Sequence, residues 1–249
     1  MPRILLLDIE TAPNKVYAWG LWDQNIATNQ VMETSYVLCW AAKWYGESGV
    51  LFDSVKKSGL ERMLGRMHKL LDEADIVVHY NGLKFDIPTL NKEFIQVGFA
   101  PPAPYKQIDC MKEVKRMFRF QSNKLDFVSQ ALGIGAKAKT AGFDLWVKCM
   151  EGDARAWRQM ERYNRRDVVL LERLYKELRP WIEKHPNIGA FDDVMACPKC
   201  GSEKRQQRGY AVTQMMKYPR YQCQSCGGWY RGNKSVSHRR GERAANVVS

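Results

Sequence analysis

No stretch of the 249 residues approaches the roughly 20 consecutive apolar positions that cross a bilayer. A membrane-spanning helix is therefore not expected. Nor does the start read as a leader: Met1-Pro2-Arg3-Ile4-Leu5-Leu6-Leu7-Asp8 has one basic residue, a short apolar run and no small-residue cleavage site. A cytoplasmic protein is the expectation. No internal repeat is visible. Cysteines number seven, an odd count that argues against a disulfide framework. Acidic residues are nearly missing from one region. Residues 195–249 hold 11 Lys/Arg and 2 Asp/Glu, a net of +9, whereas residues 1–194 hold 28 and 25, a net of +3. A basic tail on a near-neutral body suits a polyanionic partner, most often nucleic acid, although a solubilising tail has the same composition. The tail is not an amphipathic helix, so a membrane surface is not expected as partner. What is present is the composition of a folded protein, 45% hydrophobic and 11% aromatic. The length suffices for one α/β core and a small appendage.

Ile4 to Ile9 is apolar except for Asp8 and predicts a buried central strand. Tyr36–Tyr45 and Val50–Phe52 predict the next two strands. Ser58-Gly59-Leu60-Glu61 has the form of a capping box ahead of an amphipathic helix with Leu60, Met63, Leu64, Met67, Leu70 and Leu71 on one face. A short strand at Ile76–His79, a helix over Ile87–Val97 and a strand at Lys106–Cys110 follow. Helices are then expected over 111–118, 124–132, 144–150 and 154–183. This order predicts an α/β fold with a mixed five-stranded sheet flanked by helices. The division expected is a main domain over 1–185, a linker over 186–194, a small module over 195–232 and a flexible basic tail over 233–249.

Three short motifs carry chemistry. Asp8-Ile9-Glu10-Thr11 places two carboxylates on one side of a strand end, because alternate residues share a face. Their desolvation and mutual repulsion would be relieved by a cation; an ordinary polar strand end has the same pattern. Asn81-Gly82-Leu83-Lys84-Phe85-Asp86 puts Asp86 at a helix start, where a plain N-cap is an equal reading. Tyr163-Asn164-Arg165-Arg166-Asp167 puts Tyr163 and Asp167 on one helix face, with an i,i+4 hydrogen bond on a surface helix as the alternative.

Taken together and in this order, the three motifs resemble those of the DEDD, or DnaQ-like, exonucleases, over about residues 1–180. The resemblance implies an RNase H-like fold. Lys106-Gln107-Ile108-Asp109, Lys124-Leu125-Asp126 and Leu132-Gly133-Ile134-Gly135 also look like family segments. One branch carries a His five residues before the last Asp, which here is Arg162; the other carries a Tyr four residues before it, which is Tyr163. The DEDDy branch is therefore the one resembled, without a polymerase region at this length. Carried across, Asp8, Glu10, Asp86 and Asp167 would hold two Mg²⁺ or Mn²⁺ ions, with Asp8 bridging, and Tyr163 would orient the attacking water. The activity implied is 3′→5′ hydrolysis of phosphodiester bonds, with single-stranded DNA favoured. An RNA exonuclease, a silent nucleic-acid-binding adaptor or a proofreading accessory subunit with a replication or repair partner are the alternatives. Thr11 and Asn81 are candidate contacts to the terminal nucleotide, Phe85 a stacking or core residue. Lys137, Lys139, Arg165 and Arg166 are candidate phosphate contacts or a solvated face. Trp19, Trp22, Trp40 and Trp44 could stack bases, but core packing is the expectation for most of them.

Cys197-Pro198-Lys199-Cys200 and Cys223-Gln224-Ser225-Cys226 form two C-x-x-C pairs separated by 22 residues. Four thiolates at this spacing predict one structural Zn²⁺ in a module resembling a zinc ribbon. A module this short lacks the core to fold unaided, so the metal should supply much of its folding free energy. Arg205, Arg208, Lys217, Arg220 and Arg231 alternate with Tyr210, Tyr218, Tyr221, Trp229 and Tyr230, a mixture suited to gripping nucleic acid or a partner protein.

Overall fold

The computed structural model describes residues 1–138, 142–191 and 195–236. The chain divides into two compact units, Arg3–Tyr175 and a second formed by Met1–Pro2 with Lys176 onward.

The larger unit is built on a five-stranded sheet of β1 (Ile4–Thr11), β4 (Val37–Trp44), β5 (Leu51–Ser54), β6 (Ile76–His79) and β7 (Lys106–Asp109), in the order β5-β4-β1-β6-β7. A separate two-stranded hairpin pairs β2 (Lys15–Val16) with β3 (Val31–Glu33). β1 runs antiparallel to β4 and parallel to β6. The helices are α1 (Val55–Ser58), α2 (Leu60–Asp72), α3 (Asp86–Gln96), α4 (Cys110–Met117), α5 (Leu125–Ala131), α6 (Phe143–Met150) and α7 (Ala154–Leu178). This is the mixed α/β architecture expected from the order of the elements.

β1 is apolar because it is central. Leu5, Leu7 and Ile9 join a core with Met63, Leu64, Met67 and Leu71 of α2 and Leu90 and Phe94 of α3. Leu6, Asp8 and Glu10 lie on the other face, by the period-two alternation of a strand. There Asn164 of α7 hydrogen-bonds Asp8. The ladder between β1 and β6 ends at Leu6↔Val78, whereas the ladder to β4 continues to Thr11. The two parallel strands therefore fork just before Asp8. On α7 the buried positions Met160, Asn164, Asp167, Val168, Leu171 and Leu174 recur at three- and four-residue spacing, so polar and apolar groups share one inward stripe.

Two local expectations are corrected. Ser58 does not cap α2, whose N-cap Gly59 makes no side-chain bond. The Ser58 hydroxyl instead donates to buried Asp53 at 2.7 Å, because Ser58 closes α1 and faces that carboxylate. Trp19 and Trp22 do not pack in the core: they are 98% and 83% exposed, in the connection between β2 and β3. Trp40 is 3% exposed and donates its indole N–H to the Met63 carbonyl; Trp44 lies under the Arg3 guanidinium.

The smaller unit holds a three-stranded antiparallel sheet of β8 (Arg205–Val212), β9 (Lys217–Cys223) and β10 (Trp229–Arg231), with β9 in the middle. Ile188 N–H donates to the Pro198 carbonyl, which ties the 188–191 turn to the first cysteine pair. Among the described residues, no helix is long and apolar enough to cross a membrane.

Candidate active site

Four carboxylates from three elements meet at the fork between β1 and β6. Carboxylate oxygens of Asp8, Glu10 and Asp167 lie within 4.8 Å of one another. Asp86 begins α3 on the opposite face but reaches the same strand end, where its Oδ1 accepts the Ile9 N–H at 3.1 Å. That N–H is available because β6 has left the ladder. Asp86 thus acts on the strand between Asp8 and Glu10, and it is the first residue of α3, whose N-cap position is held by Phe85. Asn164 Nδ2 donates to Asp8 Oδ2 at 2.7 Å and to the Asp8 carbonyl at 3.3 Å.

The electrostatics are strained in one direction. Burial raises the pKa of Asp8 well above the usual carboxylate range, and Glu10, Asp86 and Asp167 add repulsion. Burial likewise pushes Glu10 up to about 8 and Asp86 up to about 7. Asp167 is raised too, with Lys137 opposing the shift. Lys137 Nζ sits 2.6 Å from Asp167 Oδ2 and 3.1 Å from the Tyr163 oxygen. Burial works against its charge, but Asp167 and Asp8 outweigh burial and lift its pKa above the normal lysine range. One ammonium does not balance four acids. Asp167 Oδ1 is buried and has no hydrogen-bond partner among the described residues. A set of hard oxygen donors, net negative, with an orphaned carboxylate oxygen fits Mg²⁺ or Mn²⁺.

Tyr163 accepts from Lys137, and its ring packs edge-on against Trp146. Burial raises its pKa, so the phenol stays protonated near neutrality. The Trp146 side chain in turn favours the ionised form of Glu10, against the upward push of burial.

The 81–86 loop is held from below. Asp109, at the end of β7, accepts the N–H groups of Asn81 at 2.9 Å, Leu83 at 3.3 Å, Met111 at 3.0 Å and Lys112 at 3.2 Å. One buried carboxylate therefore caps α4 and ties down the loop that delivers Asp86. His79 Nδ1 accepts the Gly82 N–H, and Nε2 meets Gln107 Oε1. Burial keeps that imidazole neutral. A Cβ on Gly82 would lie 2.4 Å from the His79 ring, so only glycine fits there. An Asp109→Ala variant should be destabilised by about 2–4 kcal/mol, from the lost cap and the unpaired N–H groups. The shift in urea midpoint checks this, and an unchanged midpoint would refute the tether.

The other sequence-derived residues are less convergent. Asn81 sits in the loop with a φ of 69°, and Phe85 is 43% exposed beside Asp86. Thr11 follows a β-bulge at the end of β1. Lys137, a candidate phosphate contact or part of a solvated face, has its ammonium against the carboxylate of Asp167. Arg166 Nε donates to the Ala136 carbonyl at 3.1 Å and so holds the loop that carries Lys137. Arg165 turns to Glu161 and to the Val50 carbonyl. Lys139 lies outside the described residues. Asn164, Trp146 and the tether Asp109 were not singled out from the sequence. Asn164 had a signal, a polar residue three before Asp167 on the inward stripe of a helix.

In the smaller unit, the sulfurs of Cys197, Cys200, Cys223 and Cys226 lie within 4.8 Å of one another. The Cys197–Cys226 and Cys200–Cys223 separations are 3.8 and 3.6 Å. Disulfide sulfurs are about 2.05 Å apart. Four sulfurs about 2.3 Å from a tetrahedral ion are about 3.8 Å apart. The spacing thus fits a Zn²⁺ centre. Burial opposes charge on Cys223, but the Cys226 and Ser225 N–H groups stabilise its thiolate and bring its pKa to about 7. Burial pushes the Cys197 thiol up to about 11.

No curated protein matches the sequence. The solved family B DNA polymerase of the hyperthermophilic archaeon Pyrobaculum calidifontis is similar in fold, with a TM-score of 0.56 at 16% identity. The match covers 73% of this chain but 25% of that polymerase, so the chain corresponds to about a quarter of its length. The RNase_H_2 family model, of the RNase_H superfamily, matches residues 5–179. Those residues contain the five-stranded sheet except for its first residue, Ile4, together with all four carboxylates, and the chain belongs to the RNase H superfamily.

Proposed function

We propose that the chain is a nuclease of the DEDDy type, a divalent-metal-dependent 3′→5′ exonuclease acting on single-stranded DNA. The observation that carries this reading is the meeting of Asp8, Glu10 and Asp167 within 4.8 Å. Asp86 joins them through the Ile9 N–H. Asp8, Glu10, Asp86 and Asp167 are the residues that would hold two Mg²⁺ or Mn²⁺ ions. Bound there, divalent ions supply charge neutralisation for a phosphodiester and a lowered water pKa. The chain's own groups supply position. Asn164 fixes Asp8, and Asp109 fixes the loop leading to Asp86. The Tyr163 hydroxyl, protonated at neutral pH, orients the attacking water by hydrogen bonding and does not take its proton. Lys137 adds positive charge beside Asp167 where a phosphate approaches. Asn81, Thr11 and Phe85 border the strand ends and are assigned to the terminal nucleotide. The cysteine module holds one structural Zn²⁺ and performs no chemistry.

The test uses 5′-labelled single- and double-stranded DNA and RNA with Mg²⁺ or Mn²⁺. A ladder shortening from the 3′ end, strongest on single-stranded DNA, is expected. Tyr163→Phe should slow it roughly 10- to 100-fold, the effect of a misplaced reactant. Internal cuts, 5′-end loss or no metal dependence would defeat the assignment, and faster shortening of RNA would move the substrate.

A further inference from the structure

The three-stranded sheet of the smaller unit has two unlike faces. By register, Gln206 opposes Gln222, which opposes Trp229; Arg231 opposes Arg220; and Ala211 opposes Tyr218. Opposed residues share a face. The Trp229 ring lies 5.1 Å from the Arg220 guanidinium and 5.6 Å from that of Arg208, and Arg231 lies 4.1 Å from the Tyr218 ring. Arg208, Arg220, Arg231, Tyr218 and Trp229 therefore form one cluster on that face. Each of the three arginines is exposed, and Trp229 is 43% exposed. Among the described residues, none of the three guanidinium groups has a carboxylate partner. The only acid in 195–236 is Glu203, against eight Lys/Arg. Three cations held in place by rings and left without anions are set up for a polyanion. Stacking on a ring fixes the guanidinium plane; Arg208 gives one N–H to Gln222 Oε1 and Arg220 gives its Nε–H to the Arg208 carbonyl, which leaves their other N–H groups for phosphate oxygens.

We infer that this face, Arg208–Arg220–Arg231 with Trp229 and Tyr218, is a binding surface for single-stranded DNA. Phosphates meet the guanidinium edges, and an unpaired base stacks against the exposed part of Trp229. A duplex hides its base faces, which leaves the rings without a role. Arg208 donates to Gln222 Oε1 at 2.6 Å, which holds its side chain on this face. The inference deepens the nuclease reading, on which its choice of ligand class rests.

The test is fluorescence anisotropy of the zinc-loaded full chain with a labelled 20-nucleotide DNA, across a salt series. Asp8→Asn is present throughout, so that the DNA is not cut. Arg208→Glu with Arg220→Glu and Arg231→Glu should weaken binding at least 10-fold. It should also flatten the slope of log affinity against log salt by about 2, from three lost phosphate contacts. Trp229→Ala should weaken binding roughly 5- to 150-fold. Arg→Lys at the same three positions should keep the salt slope. Lys56→Glu with Arg62→Glu and Lys69→Glu, the same charge change elsewhere, should do much less. All variants are checked for one equivalent of zinc. Equal loss in the control triple, or no loss in the ribbon triple, overturns the surface. So does tighter binding of duplex or RNA that the ribbon changes abolish. If the chain grips DNA through this face yet the parent protein, with Asp8 restored and Mg²⁺ or Mn²⁺ added, never shortens it, the nuclease reading falls and this one stands.

Discussion

An Asp8→Asn variant should lose at least about 10³-fold of nuclease activity, yet melt at a higher temperature than the parent protein when no divalent ion is present. The two effects have one cause. Asp8 is half-buried against Glu10, Asp86 and Asp167, and each partner raises its pKa. In the absence of a cation, this carboxylate weakens the fold. An amide at the same place cannot ionise, and its oxygen still accepts from Asn164 Nδ2. It is a poor ligand for a hard cation, so activity falls by the several kcal/mol that metal assistance supplies. Mn²⁺ at about 100 times its Kd should raise the parent's melting temperature by about 5–10 °C and the variant's far less. A metal-free variant that melts lower than the parent would contradict this account of the site.

The pH dependence follows from the same groups. Unfolded, these side chains ionise near pH 4–4.5. Folded and metal-free, Asp86 keeps its proton to about 7 and Glu10 to about 8. The folded state then binds more protons than the unfolded state between those limits, so stability falls as pH rises from about 4.5 to 8. Divalent ions displace the protons, and the stabilisation they give should be larger at pH 8 than at pH 6. Differential scanning fluorimetry at both values, with and without Mn²⁺, reads the difference.

Cys223→Ser should release the zinc and unfold the cysteine module. Structural zinc is worth about 10–16 kcal/mol in small modules, far more than the packing of three short strands returns. Its sheet buries little: β8 holds no fully buried residue and β9 only Cys223 itself. Zinc content should fall from one equivalent to well below half. Trypsin cleavage after Lys204, Arg205 and Arg208 should quicken by two orders of magnitude or more, because cleavage follows the open population. Since the thiols must lose protons to bind, zinc should also leave as pH is lowered. A variant, or a chelated parent, whose strands stay protected would show that the sheet stands without metal.

The large elements were legible because each states its environment plainly. β1 is apolar on both faces because both are covered, and α7 has a stripe that runs through Asp167. The carboxylate motifs were legible because acids are out of place on those two elements. Long-range tertiary contacts were not legible. Asp109 is legible only as the end of a family-like segment, and only the fold reveals four N–H groups converging on it from two sides. Lys137 was read as a solvated or phosphate-facing residue, because nothing local says that its loop folds back onto Asp167. Trp19 and Trp22 were misjudged by assuming that tryptophans are buried. The Ser58 cap was misjudged because Asp53, five residues earlier, competes for the same hydroxyl.

The parting of β1 from β6 after Leu6 means that the pocket exists only while a ladder remains unfinished. Two more paired residues would hand the Ile9 amide to a neighbouring backbone, evict Asp86 and silence the protein with every acidic side chain intact. In descendants of such a chain, function can be lost by a gain of regular structure, and an inventory of catalytic residues would miss it.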